Sequence, residues 1–157
     1  MRPFIWIVAA LVLITPAPAQ QTYRTDNFEV NSPSKALSKE VGDLAEVYRD
    51  KLNRYWTGKP LKNWSSHCPI TVRVGTVGAG GETRFKFDRG EVYGWNMTIQ
   101  GDRERIFDSS LPHEINHTIF ATYFRGPLPR LLDEGAASLF EDVSEQSKYV
   151  KLHQEEE

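Results

Sequence analysis

The sequence predicts an α+β fold in which a small mixed or antiparallel sheet packs on a helix that carries candidate metal ligands, followed by a second ligand-bearing helix. Three observations indicate this class. Short segments alternate apolar and polar residues as strands do, and a longer segment repeats apolar residues at helical spacing. Residues 113–117 form the motif H-E-x-x-H, and a further helical pattern follows it. The chain contains no internal repeat, and its length suits a single domain.

Residues Met1 to Ala19 have the pattern of a secretory signal peptide. Arg2 supplies the positive charge, Phe4 to Ile14 form the apolar run, and an Ala-Pro-Ala cleavage pattern ends the segment. The apolar run is shorter than the about 20 residues of a membrane-spanning helix; an uncleaved membrane anchor is the alternative. We therefore expect a secreted or periplasmic protein with one domain over residues 20–143 and a polar tail over residues 144–157.

Composition and charge argue against several classes of partner. The 157 residues have a net charge of −2, and removal of residues 1–19, which include one basic residue, leaves 138 residues with a charge of −3. Such a chain has no excess of positive charge to attract nucleic acid or an anionic membrane. Cys68 is the only cysteine, so no intramolecular disulfide can form. We expect it to be a small buried residue at the start of a strand rather than a nucleophile.

Three elements are predicted before the glycine-rich part of the chain. Residues 22–31 alternate well enough for one strand. Ser32-Pro33-Ser34 begins a long helix that ends near Gly58, and Pro69 to Val74 form a second strand. The apolar stripe of the helix consists of Leu37, Val41, Leu44, Tyr48, Leu52 and Tyr55.

A glycine-rich stretch and a predicted hairpin come next. Gly75 to Gly81 has no Gly-Lys-Ser/Thr sequence and no helix start behind it, so we interpret it as a flexible loop rather than a phosphate-binding loop. Thr83 to Phe87 and Val92 to Gln100 are predicted to pair antiparallel across Asp88-Arg89-Gly90. Gly94 weakens the second strand and allows close approach of another chain.

The H-E-x-x-H motif requires a helix, and the residues around it favour one. Ser109 and Ser110 are candidate N-caps, and Pro112 suits the first turn. Apolar residues recur at helical spacing until Gly126-Pro127 ends the pattern. We expect one inward-facing stripe on this helix, formed by His113, His117, Phe120 and Phe124.

Two histidines four residues apart on a helix lie on the same face, separated by one turn. His113 and His117 can therefore reach a single metal ion with Zn–N bonds of about 2.0–2.1 Å. Glu114 is rotated by about 100° from His113, so its carboxylate lies beside the metal, where it can take a proton from water. The alternative interpretation is an accidental motif whose histidines are satisfied within the core.

A second helical pattern follows the turn at residues 126–129, and Glu134 in its early part is the candidate third ligand. A carboxylate buried there would be costly unless it were paired or bound to metal. The alternative is an ordinary carboxylate at a helix N-terminus, favoured by the macrodipole. Asp133 either hydrogen-bonds a ligand histidine or is exposed at a helix start. The expected buried side of the helix consists of Leu132, Ala136, Leu139, Phe140 and Val143.

The motif together with the sequence Leu-Leu-Asp-Glu-Gly-Ala-Ala-Ser at residues 131–138 resembles the gluzincin metallopeptidases, and most closely the small bacterial peptidase MA-like domains. The resemblance covers about Val92 to Phe140 and implies a zincin-like fold. Within it, the resemblance implies one Zn2+ ion with Glu114 as general base; the implied zinc ligands are His113, His117 and Glu134.

The resemblance also implies that the strand before the motif helix, at Tyr93 to Met97, forms the edge of the active cleft and binds substrate backbone. An edge strand has unpaired N–H and C=O groups, which can hold an extended peptide. The alternative is that Trp95 and Met97 belong simply to the core. The Gly-x-Met-Glu-Asn sequence of aminopeptidases is absent, so an aminopeptidase is not supported.

The function that the resemblance implies is zinc-dependent hydrolysis of peptide bonds in a peptide or protein substrate. The alternative, suggested by the short C-terminal region, is a non-catalytic zincin-fold binding module with a structural or vestigial metal site. Tyr149 and His153 are the only candidates after Glu134 for stabilising an oxyanion, and neither lies in a motif. A fourth protein ligand, either His67 or His153, would favour the binding module, because a catalytic zinc keeps one position open.

Overall fold

The computed structural model describes residues 20–75 and 78–141. The predicted signal peptide and the predicted tail, with Tyr149 and His153, lie outside the described residues, as does Val143. Within the described ranges, no helix combines the length and apolar character that crossing a bilayer requires. The elements are, in chain order, β1 (Gln21–Arg24), β2 (Phe28–Ser32), α1 (Lys35–Thr57), β3 (Cys68–Val74), β4 (Gly80–Asp88), β5 (Glu91–Gly101), α2 (Arg103–Arg105), a π-helical turn (Ile106–Ser110), α3 (Leu111–Phe124) and α4 (Arg130–Ser138).

The five strands form one mixed sheet in the order β1-β2-β3-β5-β4. The pairs β1–β2 and β4–β5 are antiparallel, whereas β2–β3 and β3–β5 are parallel. A parallel pair needs a long crossover connection, usually a helix, and α1 lies in the connection between β2 and β3. The predicted α+β class is confirmed at this coarse level, as a mixed sheet with helices.

One face of the sheet is buried beneath the helices. Ile70 and Met97 are partners in the register of β3 and β5, and both are fully buried. The next partners, Thr71 and Thr98, are only partly buried, because successive side chains point to opposite faces of a sheet. The helical segments complete the core with Val41, Ala45, Leu52, Ile106, Leu111, Ile115, Ile119, Phe120 and Ala121.

The prediction of a single strand over residues 22–31 is wrong, because the chain forms two strands, β1 and β2, joined by a turn. Within the turn, Thr25 Oγ1 and the Asn27 backbone N–H both donate to Glu46 Oε1 on α1, each at 2.7 Å. The backbone N–H of Thr25 also donates to the Phe28 carbonyl at 3.0 Å. The turn is therefore held by a distant carboxylate, which alternation along the sequence does not reveal.

Helix α1 begins and ends where the sequence predicts. The Ser34 side chain caps it by accepting the Leu37 N–H at 3.2 Å. Gly58 ends it with a left-handed φ of 70° and donates its N–H to the Arg54 carbonyl at 2.8 Å. Tyr55, predicted as part of the apolar stripe, is mostly exposed, so the buried stripe stops one turn before the helix end.

Strands β4 and β5 form the predicted antiparallel hairpin. Arg89 and Gly90 at its tip have φ values of 49° and 77°, the positive values that a two-residue type I′ turn requires at both positions. The first strand begins earlier than predicted, because Gly80 and Gly81 belong to β4. The predicted flexible loop is therefore wrong for these two glycines, and residues 76–77 lie outside the described part of the chain.

The edge strand beside α3 is β4, so the prediction that Tyr93 to Met97 forms the edge is wrong. That segment belongs to β5, which pairs with β3 on one side and β4 on the other. Trp95 and Met97 are buried in the core. Within the part of the chain that the structure describes, β5 is the only strand that pairs with β4. A hairpin can join β3 through either of its strands, and the strand sequences alone do not decide which one becomes the edge.

The helical run that leads into the motif also starts earlier than predicted. Asp102 caps it, its side chain accepting a backbone N–H of the first turn at 2.9 Å. The Leu111 N–H then bonds to the Ile106 carbonyl, five residues back, which is the pattern of a π turn. Ser109 and Ser110, the predicted caps, lie within this run, and Ser110 has helical φ and ψ with no capping hydrogen bond.

Candidate metal centre

Both histidines of the motif lie on α3 and face a space beside α4. Their ring centroids are 4.9 Å apart, and both side chains are largely buried. Phe120, one turn further on, is also buried, but Phe124 is half-exposed. The predicted inward stripe is therefore correct as far as Phe120 and wrong at Phe124, because the last turn of α3 extends beyond the core.

Helix α4 brings Glu134 to the two imidazoles after the turn at residues 126–129. Glu134 Oε2 lies 3.4 Å from His113 Nε2 and 3.9 Å from His117 Nε2. Ligand atoms of one tetrahedral zinc site are about 3–4 Å apart, and these separations lie in that range. The Glu134 side chain is 48% exposed, so the site is open to solvent on the side of this carboxylate.

The buried side of α4 differs from the predicted one. Leu132 and Leu139 are mostly exposed, so the sequence prediction is wrong for both. Leu132 lies two positions before Glu134 and points about 200° round the helix from it, whereas Leu139 follows Ser138, the last residue of α4. Ala136 is partly buried against the core, as predicted. Ala137, three positions after Glu134 and on its side, is fully buried. Phe140 packs against the core as predicted.

Each histidine also faces a carboxylate through its Nδ1 atom. The Glu141 carboxylate makes a short contact with His113 Nδ1, and Asp133 Oδ1 lies 3.0 Å from His117 Nδ1. The second approach has the distance of a hydrogen bond but not its alignment. Outer carboxylates of this kind orient metal-ligating histidines and fix their tautomer. Both rings therefore have Nε2 on the side of Glu134.

The sequence left two interpretations of Asp133 open, a partner of a ligand histidine or an exposed residue at a helix start, and it did not indicate Glu141. Glu141 lies three residues beyond Ser138, the last residue of α4, so helical spacing does not account for its position beside His113. No local pattern in the sequence marks Glu141, because its contact with His113 depends on how the chain leaves α4.

Glu114 is almost fully buried between α3 and β4. Thr83 Oγ1 donates a hydrogen bond of 2.5 Å to Glu114 Oε2. Gly81 lies so close that a Cβ atom built on it would be 2.4 Å from Glu114 Oε1. No local pattern in the sequence links Thr83 or Gly81 to the motif, because the contact depends on which strand forms the sheet edge.

The charges of the centre shift two pKa values. Burial raises the pKa of Glu114, although the Thr83 hydrogen bond and the two histidines oppose the shift. Burial lowers the pKa of His117, but the contact with Asp133 and the charges of Glu114 and Glu134 raise it by more, so that the net shift is upward. In the metal-free protein the carboxylates therefore favour a proton on His117, for which a metal ion competes.

The centre could hold a metal ion. One ligand atom from each of His113, Glu114 and His117 lies within 4.8 Å of the other two. Glu134 Oε2 approaches the same two imidazoles. Imidazole nitrogen and carboxylate oxygen are donors that several divalent transition metals accept. Two carboxylates, those of Glu114 and Glu134, thus face one pair of histidines.

Two adjoining cavities open over the centre. The first has a volume of about 240 Å³ and the second about 360 Å³, and both touch His113, Glu114 and Glu134. The first extends between β4 and the π-helical turn and is lined further by Ala79, Gly80, Gly81, Ser109, Ser110 and Glu141. The second extends along β4 toward α4 and is lined further by Gly81, Glu82, Thr83, Phe85, His117, Arg130 and Asp133.

Two residues considered for chemistry lie elsewhere. His67 Nε2 is 3.0 Å from the Thr25 carbonyl, at the entrance to β3, so His67 is not a ligand in this arrangement. Cys68 is a free, fully buried cysteine, as predicted, and burial raises the pKa of its thiol to about 12. A thiol with such a pKa is not a nucleophile at neutral pH.

Comparisons with protein-family models, with curated proteins and with solved structures found no match to this chain.

Proposed function

We propose that this chain is a zinc-dependent metallopeptidase-like protein of the gluzincin type, with a zincin-like fold, that hydrolyses peptide bonds with Glu114 as general base. The observation that carries the proposal is the approach of Glu134 Oε2 to His113 Nε2 and His117 Nε2, at 3.4 and 3.9 Å. On the basis of the predicted signal peptide, the proposed place of action is outside the cytoplasm. The proposed substrate is a peptide or protein.

The residues that would hold the ion are His113, His117 and Glu134. Two histidines and one glutamate are a known ligand set of catalytic zinc, which leaves a fourth position open. The outer contacts of Glu141 and Asp133 with the Nδ1 atoms support the same set. A zinc ion held there would act as a Lewis acid and lower the pKa of a bound water molecule to about 7.

Glu114 moves the proton in this proposal. Its Oε2 accepts the Thr83 hydrogen bond, so Oε1 is the atom available to take a proton from the attacking water. The water oxygen bonds to the peptide carbonyl carbon, and Glu114 passes the proton to the leaving nitrogen as the C–N bond breaks. Burial raises the pKa of Glu114, which brings it nearer the pH at which a base and acid of this kind is effective.

The position of β4 supports a peptide as substrate. Strand β4 is an edge of the sheet, and an edge strand can pair with an extended peptide through its outer N–H and C=O groups. Gly81 and Thr83 of this strand contact Glu114. A peptide paired with β4 would therefore run past the proposed base.

A second candidate function is the non-catalytic binding module with a structural metal site. It is favoured by one observation, namely that Glu114 offers a carboxylate oxygen within 4.8 Å of a nitrogen of each histidine. If Glu114 and Glu134 both coordinated, the four residues would close a tetrahedral site and leave no position for water.

The deciding experiment compares the wild type with Glu114→Gln for zinc content and for cleavage of a pool of internally quenched peptides. The enzyme predicts that the variant retains zinc and loses cleavage. The closed site predicts that the variant loses zinc and that neither protein cleaves. Glu82→Gln, which changes an exposed carboxylate of the same cleft, is the control and should match the wild type. Equal cleavage by the wild type and Glu114→Gln would contradict the role of Glu114.

A further inference from the structure

The carboxylate of Glu114 is held from both sides by one strand. Thr83 Oγ1 donates to Oε2 at 2.5 Å and lies 3.4 Å from the Glu114 backbone carbonyl. On the other side, a Cβ on Gly81 would lie 2.4 Å from Oε1 and 2.7 Å from the carboxylate carbon. Since carbon atoms in contact are about 3.5–4.0 Å apart, the carboxylate occupies the space that any side chain at residue 81 would need.

The pairing of β4 with β5 explains neither of these two contacts with Glu114. Gly80, the preceding residue of β4, would accept a Cβ atom with nothing within 4 Å. The absence of a side chain at residue 81 therefore serves the Glu114 carboxylate rather than the pairing of β4 with β5. Thr83 is only partly buried, and its hydroxyl is directed at Glu114.

We propose that β4 positions the proposed general base. Thr83 is the positioning residue that fixes the orientation of the Glu114 carboxylate, and the absence of a side chain at Gly81 leaves the space that this carboxylate occupies. The inference rests on the proposed function, because the orientation matters for a carboxylate that must meet a water molecule. A glutamate side chain has three rotatable bonds, and a general base works only within hydrogen-bond reach of the proton it takes. The Thr83 hydrogen bond leaves Oε1 as the oxygen that carries the proton.

The kinetic test uses four single variants of the zinc-loaded protein. Thr83→Val removes the hydroxyl at nearly constant volume, and Thr83→Ser keeps it. Gly81→Ala displaces the carboxylate, whereas Gly78→Ala is its control, at a glycine before β4 where an added Cβ would meet nothing within 4 Å. General-base catalysis contributes about 10²–10⁴ in rate. We expect Thr83→Val and Gly81→Ala to lose part of this contribution, so that kcat falls by at least about tenfold. Zinc affinity should stay within about twofold, since neither residue is a proposed ligand. KM should also stay within about twofold, since β4 would pair with the peptide through its backbone groups.

Two controls separate positioning from general support of the fold. Thr83→Ser and Gly78→Ala should keep kcat within about twofold of the wild type. In a Glu114→Gln background, Thr83→Val should cause no further loss, because residues that act through one group are not additive. A wild-type kcat in Thr83→Val, or an equal further loss in the Glu114→Gln background, would overturn the proposal.

A stability measurement on the metal-free protein tests the positioning of Glu114 by β4 without a measurement of catalysis. Thr83→Val should lower Tm in the wild-type background, where it leaves a buried carboxylate without its donor, and should leave Tm unchanged in a Glu114→Ala background. Equal losses of Tm in both backgrounds would overturn the proposal that Thr83 positions Glu114. If the zinc-loaded wild type cleaves no peptide, the proposed function fails, and this cycle alone decides whether Thr83 holds Glu114.

Discussion

Glu141 contacts Nδ1 of His113 from a position 28 residues further along the chain. Its side chain is only 7% exposed, and its backbone N–H bonds to the carbonyl of Ser138, the last residue of α4. The end of α4 and the motif on α3 are thus joined by an acid and an imidazole. Helix α4 supplies Glu134 to the opposite nitrogen of that ring, so α4 and the residues just after it contact His113 from two directions.

The first prediction concerns this contact. Glu141→Ala should weaken zinc binding by about 10–100-fold, the range found when outer partners of ligand histidines are removed. A competition titration against a chelator of known zinc affinity measures the change. Glu82→Ala, which removes an exposed carboxylate of the neighbouring cavity, should leave the affinity unchanged. An unaltered affinity in Glu141→Ala would mean that the His113 ring is held by its other neighbours.

The second prediction concerns the proposed third ligand. Glu134→Ala should weaken zinc binding by more than the about 100-fold limit for outer partners, because a direct ligand is lost. The metal-free variant should unfold at nearly the wild-type temperature, since the Glu134 side chain is about half exposed and α4 packs through the buried Ala137. Chelator competition and thermal unfolding provide the two measurements. Wild-type zinc affinity in this variant would assign the carboxylate ligand to Glu114 instead.

The third prediction concerns the link between α1 and the motif helix. Trp56 Nε1 donates a hydrogen bond of 2.7 Å to Oδ1 of Asn116, a fully buried residue that lies between the two motif histidines in the sequence. Trp56→Phe should lower the free energy of unfolding by about 1–3 kcal/mol, the cost of a buried polar group left without a partner. Denaturant unfolding measures it. Tyr55→Phe, at the exposed neighbouring position, should change stability by much less, and equal losses would contradict the role of the hydrogen bond.

The fourth prediction concerns pH. Burial raises the pKa of Cys68 to about 12, whereas a cysteine in an unfolded chain has a pKa of about 8.5. Between these values the unfolded state loses the proton and the folded state keeps it, so the free energy of unfolding should decrease as pH rises. The slope is at most about 1.36 kcal/mol per pH unit.

Denaturant unfolding of the reduced protein at several alkaline pH values measures this slope. Cys68→Ala removes the thiol and should remove its contribution to the slope. A thiol reagent should modify the unfolded wild type at once and the folded protein only as fast as it opens. Rapid modification of the folded protein at pH 8 would show that the thiol is reached without unfolding.

Elements whose ends depend on neighbouring residues were predictable from sequence. Helix α1 is the clearest case, because Ser34 and Gly58 act through local backbone hydrogen bonds. The turn between β4 and β5 is another, since Arg89-Gly90 can adopt two positive φ values in succession. Features that depend on distant partners were not predictable. The break between β1 and β2 is held by Glu46, and the edge position of β4 depends on which strand of a hairpin meets β3.

In the candidate site as well, features that depend on local spacing were predictable from sequence, and features that depend on distant partners were not. The spacing of His113 and His117 predicts one shared face, and the two imidazoles do lie together. Glu134 was indicated by its surroundings in the sequence, and it lies beside both rings. Thr83 could not be found from sequence, because the hydrogen bond joins a strand to a helix 31 residues away. Position in the sheet, rather than residue type, determines that contact.

The π-helical turn before α3 has a consequence for tolerance to changes in chain length. Ile106 and Leu111 are five residues apart and both fully buried, although five residues of regular α-helix would place them about 140° apart. The wider turn takes up one residue more than an α-helical turn and still keeps both side chains in the core. Loss of one exposed residue there, such as Asp108, would shorten the helical run while the angular setting of His113 and His117 is kept by their own packing.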